Sequence, residues 1–183
     1  MENLRTSLLE LGTRRQVDAH QLLLCAGEVA HKLYMIEQGC ARLYAIDAQG
    51  RETSIQFFFE GDVVSSLESF LTESPSALYL VTMESCVLCV VEGRDIKLRA
   101  NADSRLQACL QKILQERLVH YVNLYASAIA DSPTQRYLAL KKTHQQQLER
   151  IPLHILSTYL GVSAVHLSRI RRNLKNIQTS HGN

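Results

Sequence analysis

Residues 151–174 read IPLHILSTYLGVSAVHLSRIRRNL, and a single glycine divides this stretch. Residues 153–160 are predicted to form a short helix with one buried side. The apolar side chains of that helix are Ile155, Leu156, Tyr159 and Leu160. Gly161 allows the positive φ that ends a helix, and Ser163 is a suitable N-cap for a second one. A helix, a three-residue turn containing glycine and a capped second helix form the helix-turn-helix plan of DNA-binding proteins.

The second predicted helix has a buried side and an exposed side. At about 100° per residue, the buried side holds Leu167, Ile170 and Leu174. The opposite side holds Val165, Arg169 and Arg172, with Ser168 on its flank. Such a face suits the major groove, where an arginine can donate two hydrogen bonds to guanine and others can bind phosphate. The candidate DNA-binding residues are Ser163, Val165, His166, Ser168, Arg169, Arg171, Arg172 and Lys175.

The charge of the chain is divided unevenly along its length. Residues 132–183 contain eight lysines and arginines and one acid, a charge of +7. Residues 1–131 contain twelve basic and seventeen acidic residues, a charge of −5. This division favours a polyanionic partner for the basic segment, although a solvated basic tail is an alternative. Because no apolar run reaches about 18 residues and the N-terminus lacks a signal core, we expect a cytoplasmic protein without membrane contact.

The N-terminal half has the pattern of an all-β domain. Residues 16–98 are predicted to be short strands, and the segment ARLYAI at 41–46 alternates apolar with polar side chains. The turn sequence DAQG at 47–50 suits a hairpin. The glycines about eleven or twelve residues apart are Gly27, Gly39, Gly50 and Gly61. This spacing predicts an antiparallel barrel, sandwich or jelly roll.

A long helix is predicted from about Asp103 to Ala130. Its apolar residues, at steps of three and four, are Leu106, Leu110, Ile113, Leu114, Leu118, Tyr121, Val122, Tyr125 and Ile129. These residues form one apolar stripe along a helix about 40 Å long. A stripe of this length favours packing against a partner helix in a homodimer. The alternative is a helix packed only on its own β-domain. Pro133, with Ser132 as its cap, then begins a short basic helix over residues 133–147.

The chain as a whole, over about residues 5–176, resembles the cyclic-AMP receptor protein/FNR (Crp/Fnr) superfamily of bacterial transcription regulators. It looks most like the short members found in Bacteroidetes-type bacteria. The segments that carry the resemblance are AGE at 26–28, LYMIEQG at 33–39, FEGD at 59–62, QRYL at 135–138, YLGVS at 159–163 and LSRIR at 167–171.

The resemblance implies an α+β fold in three parts. These are a cyclic-nucleotide-binding-like β-roll (a jelly roll) as effector domain over residues 1–102, a dimerisation helix over 103–131, and a winged-helix-like helix-turn-helix domain over 132–183. The dimer seam would use Leu106, Leu110, Ile113, Leu114, Leu118, Val122 and Tyr125. It further implies a homodimer on double-stranded DNA, with half-sites about 34 Å apart and RNA polymerase as a candidate partner.

The DNA-binding part departs from the family pattern at two places. Arg169 matches the base-reading arginine, but the acidic residue expected four positions earlier is Val165. An aliphatic side chain there favours a thymine methyl group over cytosine. Because the sequence stops at Asn183, we expect the wing hairpin to be shortened or absent.

The candidate effector pocket also departs from the pattern. It consists of Ser65, Ser66, Leu67, Pro75, Ser76 and Ala77. Members that bind cyclic AMP have Gly-Glu-Leu at the first segment and Arg-Ser at the second, whereas this sequence has neither the glutamate nor the arginine. A cyclic phosphate buried without a cation would be poorly paired, so we expect no tight cyclic-nucleotide binding. A small apolar ligand, a protein partner or no effector at all remain open.

We expect no cofactor or metal site. Cys86 and Cys89 have C-x-x-C spacing, but three residues apart on a strand their side chains point to opposite faces, as in ordinary buried thiols. Only Cys25 lies where an FNR-like iron–sulfur cluster would need several cysteines. An enzyme of the cupin type is disfavoured because His20 and His31 are isolated. The remaining alternative is a sensor or adaptor whose helix-turn-helix contacts proteins.

Overall fold

The computed structural model describes the backbone of residues 2–180 and the side chains of residues 5–174 and of Asn176. The strands are β1 (Thr13–Val17), β2 (Leu22–Leu24), β3 (Lys32–Gln38), β4 (Ala41–Ile46), β5 (Glu52–Phe58), β6 (Val63–Val64), β7 (Tyr79–Thr82) and β8 (Cys86–Glu92). The helices are α1 (Glu2–Leu11), α2 (Leu67–Thr72), α3 (Gly93–Ala102), α4 (Ser104–Ala130), α5 (Pro133–His144), α6 (Leu153–Leu160) and α7 (Ala164–Ser180), with a 3₁₀ turn at Gln147–Arg150.

The strands form two four-stranded antiparallel sheets, in the orders β1-β8-β3-β6 and β2-β7-β4-β5. Their facing sides enclose a core that includes Ile36, Leu43, Phe58 and Leu88. Gly39 has a φ of 106°, and a Cβ there would lie 2.5 Å from the Cys86 Sγ, so this turn requires glycine. The predicted α+β fold with an antiparallel β-roll is confirmed.

The outer face of the first sheet carries helices. Helices α1 and α3 and the beginning of α4 pack on it through a cluster that includes Leu8, Leu33, Val91, Ile96 and Leu106. The strands therefore end at Glu92, whereas the sequence predicted strands as far as residue 98. Helix α2 also interrupts the predicted run of strands. Helices this short are stabilised mostly by the surface on which they pack, which a local pattern does not contain.

The two cysteines with C-x-x-C spacing lie on opposite faces of β8, as predicted. Cys86 belongs to the core between the sheets, and Cys89 faces the helices, where its thiol donates to the Leu8 carbonyl at 3.2 Å. Burial raises the pKa of both thiols. All five cysteines are free, and the described residues contain no cluster of three potential metal ligands.

The helical half begins where the sequence predicts. The Asp103 carboxylate caps α4 by accepting from the Arg105 and Leu106 N–H groups at 2.9 and 3.3 Å. Ser132 and Gln135 form a capping box at α5, with Pro133 in its first turn. No described helix combines the length and apolar character needed to cross a membrane.

No wing hairpin is present in the described part of the chain. After β8, residues 93–180 contain helices and turns but no strand. Helix α7 continues to Ser180. The C-terminal helices form a helix-turn-helix flanked by α5 and a 3₁₀ turn.

Candidate nucleic-acid interface and effector pocket

The helix-turn-helix has the predicted boundaries. Helix α6 ends at Leu160, and Gly161 adopts the left-handed conformation with a φ of 64°. The Val162 N–H then donates to the Ser157 carbonyl at 3.1 Å, which satisfies one of the last carbonyls of α6. The Ser163 hydroxyl accepts from the His166 N–H at 3.2 Å and so caps α7.

Helix α7 presents the predicted face to solvent. Leu167 and Ile170 are buried beneath it, and Val165 is 64% exposed. The other exposed members of the predicted set are Ser163, His166, Ser168, Arg169 and Arg172. The Arg169 side chain is exposed, and its guanidinium forms no hydrogen bond or ion pair within the part of the chain that the structure describes. This arrangement leaves the arginine free to approach base edges.

The two other predicted phosphate ligands lie differently. Arg171 is half-buried, with its guanidinium 5.6 Å from the centre of the Tyr137 ring and its Nε atom buried without a hydrogen-bond partner. Helix α7 includes the backbone of Lys175, but the Lys175 side chain lies outside the described residues.

A groove of about 610 Å³ lies beside Arg171. Its lining includes Arg171, Arg172 and Lys141, with Glu149 as the acidic residue. Lys141, at the end of α5, was not among the predicted DNA-binding residues. The signal that could have found it was the basic end of that helix, which includes Lys141, Lys142 and His144. The flank of α7 therefore carries three cationic side chains in one groove, a geometry suited to a DNA phosphate.

The helix-turn-helix packs directly against the outer face of β5, which the sequence did not predict. The Ser54 and Thr158 hydroxyl oxygens lie 2.6 Å apart across this contact. Arg42, only 3% exposed, donates to the Ser54 hydroxyl and to the Glu52 carboxylate, both at 2.7 Å. Around this polar centre lies a shared apolar cluster that includes Phe57, Phe59, Met83, Leu156, Leu160 and Ile170.

An arginine strengthens the same contact. Arg150 pairs with Glu60 at 2.9 Å and with Glu84 at 2.7 Å, and both carboxylates belong to the β-roll. Burial alone would raise the pKa of Glu60, but hydrogen bonds from the backbone N–H groups of Glu60 and Gly39 and from Arg150 hold it below its ordinary value. Glu60 is therefore a charged partner of Arg150 at neutral pH.

The predicted dimer residues divide into two groups along α4. Leu106 is buried, Leu110 and Ile113 are half-buried against the β-roll and α3, and Leu114 is half-buried. By contrast, Leu118, Val122 and Tyr125 are 65%, 57% and 72% exposed. The first half of the helix thus packs on its own domain, and the second half carries an apolar stripe without a partner in this single chain.

The predicted effector residues are partly brought together. Ser66 and Ser76 are both buried, and their hydroxyl oxygens lie 2.8 Å apart. Ser65 donates to the Lys32 carbonyl at 2.8 Å, Leu67 begins α2, and Pro75 and Ala77 are exposed. The two segments meet through a neutral pair of hydroxyls.

Comparison with known proteins identifies both the β-domain and the complete fold. Residues 14–98 match the cyclic nucleotide-binding domain family. A comparison with curated protein sequences found no match.

Solved structures share the arrangement over nearly the whole chain. FixK2 from Bradyrhizobium japonicum has a TM-score of 0.82 at 16% identity and covers 91% of this chain and 86% of its own. The c-di-GMP responsive global regulator CLP from Xanthomonas campestris has a TM-score of 0.74 at 17% identity, covering 97% and 93%. The Thermus thermophilus catabolite activator protein has a TM-score of 0.58 at 18% identity, covering 97% and 85%. The chain has the fold of the Crp/Fnr regulators, and the resemblance found in the sequence is confirmed at that level.

Proposed function

We propose that this protein is a sequence-specific DNA-binding transcription regulator that acts as a homodimer and is not controlled by cyclic AMP. The observation that carries the proposal is the exposed face of α7, where Arg169 lies about one and a half turns after a capped N-terminus and has no protein partner among the described residues. Structural relatives with this fold are regulators, which supports a regulatory role over an enzymatic one.

Within this proposal, Arg169 reads a base and its neighbours position the helix. Arg169 donates to guanine O6 and N7, and Val165 contacts a thymine methyl group. Ser163 caps the N-terminus of α7, and His166 and Ser168 lie on the two flanks of its exposed face, so we assign these three residues to the DNA backbone. The groove that holds Lys141, Arg171 and Arg172 takes a phosphate, with Lys175 one turn further along the helix.

The second half of α4 supplies the dimer contact. Leu118, Val122 and Tyr125 form an exposed apolar stripe at helical spacing. Packing this stripe against the same stripe of a second copy would remove it from water, which favours the dimer. A two-fold dimer then presents two copies of α7 to a near-palindromic site. The regulator acts in the cytoplasm, with RNA polymerase as a further candidate partner.

The pocket argues against a cyclic nucleotide as the signal. Ser66 stands where the family resemblance puts a glutamate, and either Pro75 or Ser76 stands where it puts an arginine, depending on one residue of loop length. A cyclic phosphate beside Ser66 and Ser76 would meet hydroxyl donors instead of an arginine, and charge-assisted hydrogen bonds are about twice as strong as neutral ones. We therefore assign the effector, if one acts, to a different chemical class.

Binding to duplex DNA tests the proposal directly. Sites are first selected from a random duplex library with the intact protein, and affinity for a selected site and for a scrambled duplex is then measured by fluorescence anisotropy at several salt concentrations. Arg169→Ala is expected to reduce the ratio of the two affinities by about 10-fold to 100-fold, the value of one bidentate base contact. Arg105→Ala, an exposed arginine at the start of α4, is the matched control and should leave the ratio unchanged.

Two results would contradict the proposal. Folded, dimeric protein without duplex affinity at low ionic strength would exclude DNA binding and favour the adaptor alternative. Equal losses on both duplexes for Arg169→Ala would assign that residue to phosphate instead of a base, since phosphate contacts carry no sequence preference.

A further inference from the structure

The groove between α5, the 3₁₀ turn and α7 is much larger than a single phosphate group. Its volume of about 610 Å³ is within the range of about 300–1,000 Å³ typical of small-molecule sites. Part of its lining is apolar, because it includes Tyr137 and Leu148, which are buried, and Leu174, which is half-buried. The groove therefore has room and apolar surface for a ligand that has a body as well as a phosphate group.

The charge of this groove is not balanced by the described residues. Lys141, Arg171 and Arg172 contribute three cations to the lining, against the carboxylate of Glu149, which is the one acid of residues 132–183. Among the described side chains, neither these three cations nor Glu149 forms an ion pair. With Glu149 counted as ionised, the lining keeps a net formal charge of +2. The groove therefore attracts anions, and two negative charges are needed to match it.

Arg171 is held in an orientation that suits an anion. Its guanidinium lies 5.6 Å from the centre of the Tyr137 ring, and its Nε atom is buried. By contrast, its two Nη atoms are not buried and form no hydrogen bond among the described residues. A guanidinium that is already fixed by its surroundings loses little conformational freedom when it binds a ligand.

We propose that this groove binds a free phosphorylated compound whose phosphate carries two negative charges. A DNA phosphate is a diester with one charge, whereas a phosphomonoester has a charge of about −1.5 to −2 at neutral pH and so matches the lining. The Arg171 guanidinium can hold two phosphate oxygens at once, Lys141 and Arg172 add positive charge, and the apolar side chains take the body of the ligand. A cyclic nucleotide, which is also a singly charged diester, matches the groove less well.

A ligand in this groove would compete with DNA. In the proposed function the same three cations bind a phosphate of the DNA backbone, and they cannot pair fully with both partners. The ligand therefore weakens DNA binding, and DNA weakens binding of the ligand by the same factor. This competition rests on the proposed function, whereas binding of the ligand itself does not and is tested without DNA.

Titration calorimetry on the full-length protein without DNA tests the chemistry of the ligand. At about pH 8, phenyl phosphate and adenosine diphosphate are the probes with a doubly charged terminal phosphate. Methyl phenyl phosphate is the singly charged diester, and phenol is the neutral counterpart. At least one doubly charged probe is expected to bind about tenfold more tightly than the diester and phenol, as one charge-assisted hydrogen bond predicts. Absence of binding by both doubly charged probes to the folded protein, or equal affinity for the diester, would overturn the proposal.

Variants locate the binding site, with the fold of each checked by circular dichroism. Arg171→Met keeps most of the side-chain volume and should weaken binding of the doubly charged probe about tenfold. Arg169→Met removes the same charge from α7 outside the groove and should change the affinity for the probe less than about twofold. Glu149→Gln removes the negative charge of the lining and should tighten binding about threefold, a gain that damage to the fold could not produce. Equal effects of the two arginine variants, or no gain for Glu149→Gln, would show that the probe binds elsewhere and overturn the proposal.

Competition separates this inference from the proposed function. A saturating doubly charged probe should weaken binding of the selected duplex about tenfold, whereas methyl phenyl phosphate at the same ionic strength should not. A protein that binds the probe but no duplex would overturn the proposed function and leave the ligand site standing. A protein that binds the duplex but neither doubly charged probe would overturn the ligand site alone.

Discussion

At the scale of single residues, the contact between the β-roll and the helix-turn-helix depends on a few buried hydroxyls. Thr158 stands at its centre, because its hydroxyl meets Ser54 at 2.6 Å and lies 3.4 Å from the Arg42 guanidinium. Arg42 also lies over the Tyr44 ring, 4.4 Å from its centre. A buried cation of this kind is stable only while its polar neighbours remain in place.

Thr158→Val removes that hydroxyl without changing the size of the side chain. The Ser54 hydroxyl and one guanidinium N–H lose a partner in a half-buried environment, so we expect the free energy of unfolding to fall by about 1–3 kcal/mol. Urea denaturation followed by circular dichroism measures the change. Thr143→Val, which removes an exposed hydroxyl bonded only within its own helix region, is the control and should cost less than half as much. Equal losses would show that the shared hydroxyl contributes nothing specific.

At the scale of elements, α4 combines two kinds of packing in one uninterrupted helix. Its first half is held by the β-roll and α3, and its second half exposes Leu118, Val122 and Tyr125. An exposed apolar row of this kind is uncommon in a monomer and common in helix pairs.

A charge in this stripe should separate the proposed dimer. Leu118→Glu would place a carboxylate opposite its own copy in the seam, where burial and like charge both oppose association. We expect sedimentation velocity to show a dimer for the unaltered protein and a monomer for the variant at the same micromolar concentration. Leu98→Glu, at an exposed leucine of α3, should remain dimeric. If the unaltered protein is a monomer at all concentrations, the proposal that it acts as a homodimer is wrong.

The elements also show which parts of the fold a sequence can predict. Helix α6, the cap at Ser163 and the start of α4 at Asp103 were predicted within a residue, because caps and apolar periodicity are local signals. Helices α1 and α3 were not predicted, since their stability comes from the β-roll beneath them. The Ser54–Thr158 contact joins positions 104 residues apart, so it has no local signature.

At the scale of the whole molecule, one apolar cluster crosses the boundary between the β-roll and the C-terminal helices. It joins Phe57 and Met83 of the roll to Leu156 and Leu167 of the helix-turn-helix. Arg150 links the two parts electrostatically through Glu60 and Glu84. The orientation of α7 is therefore coupled to the β-roll by direct contact as well as through α4.

This ionic contact should weaken in acid. The pKa of Glu60 is below its ordinary value of 4.5 in the folded protein, so Glu60 stabilises the fold above that pH, and the contribution is lost as the pH falls through the folded pKa. Urea denaturation at pH 7 should show a loss of stability for Glu60→Gln that shrinks toward pH 4. Glu68→Gln, at an exposed residue of α2, should show no such dependence. A loss for Glu60→Gln that does not change with pH would contradict an ionic role.

The length of α4 has a mechanical consequence. A rod of 27 residues is about 40 Å long, and a tilt of about 5° at the end held by the β-roll would move the end at Ala130 by about 3–4 Å. That displacement is comparable to the rise of one base pair, about 3.4 Å. In the proposed dimer, a tilt of α4 by a few degrees would therefore change the separation of the two copies of α7 by about the rise of one base pair.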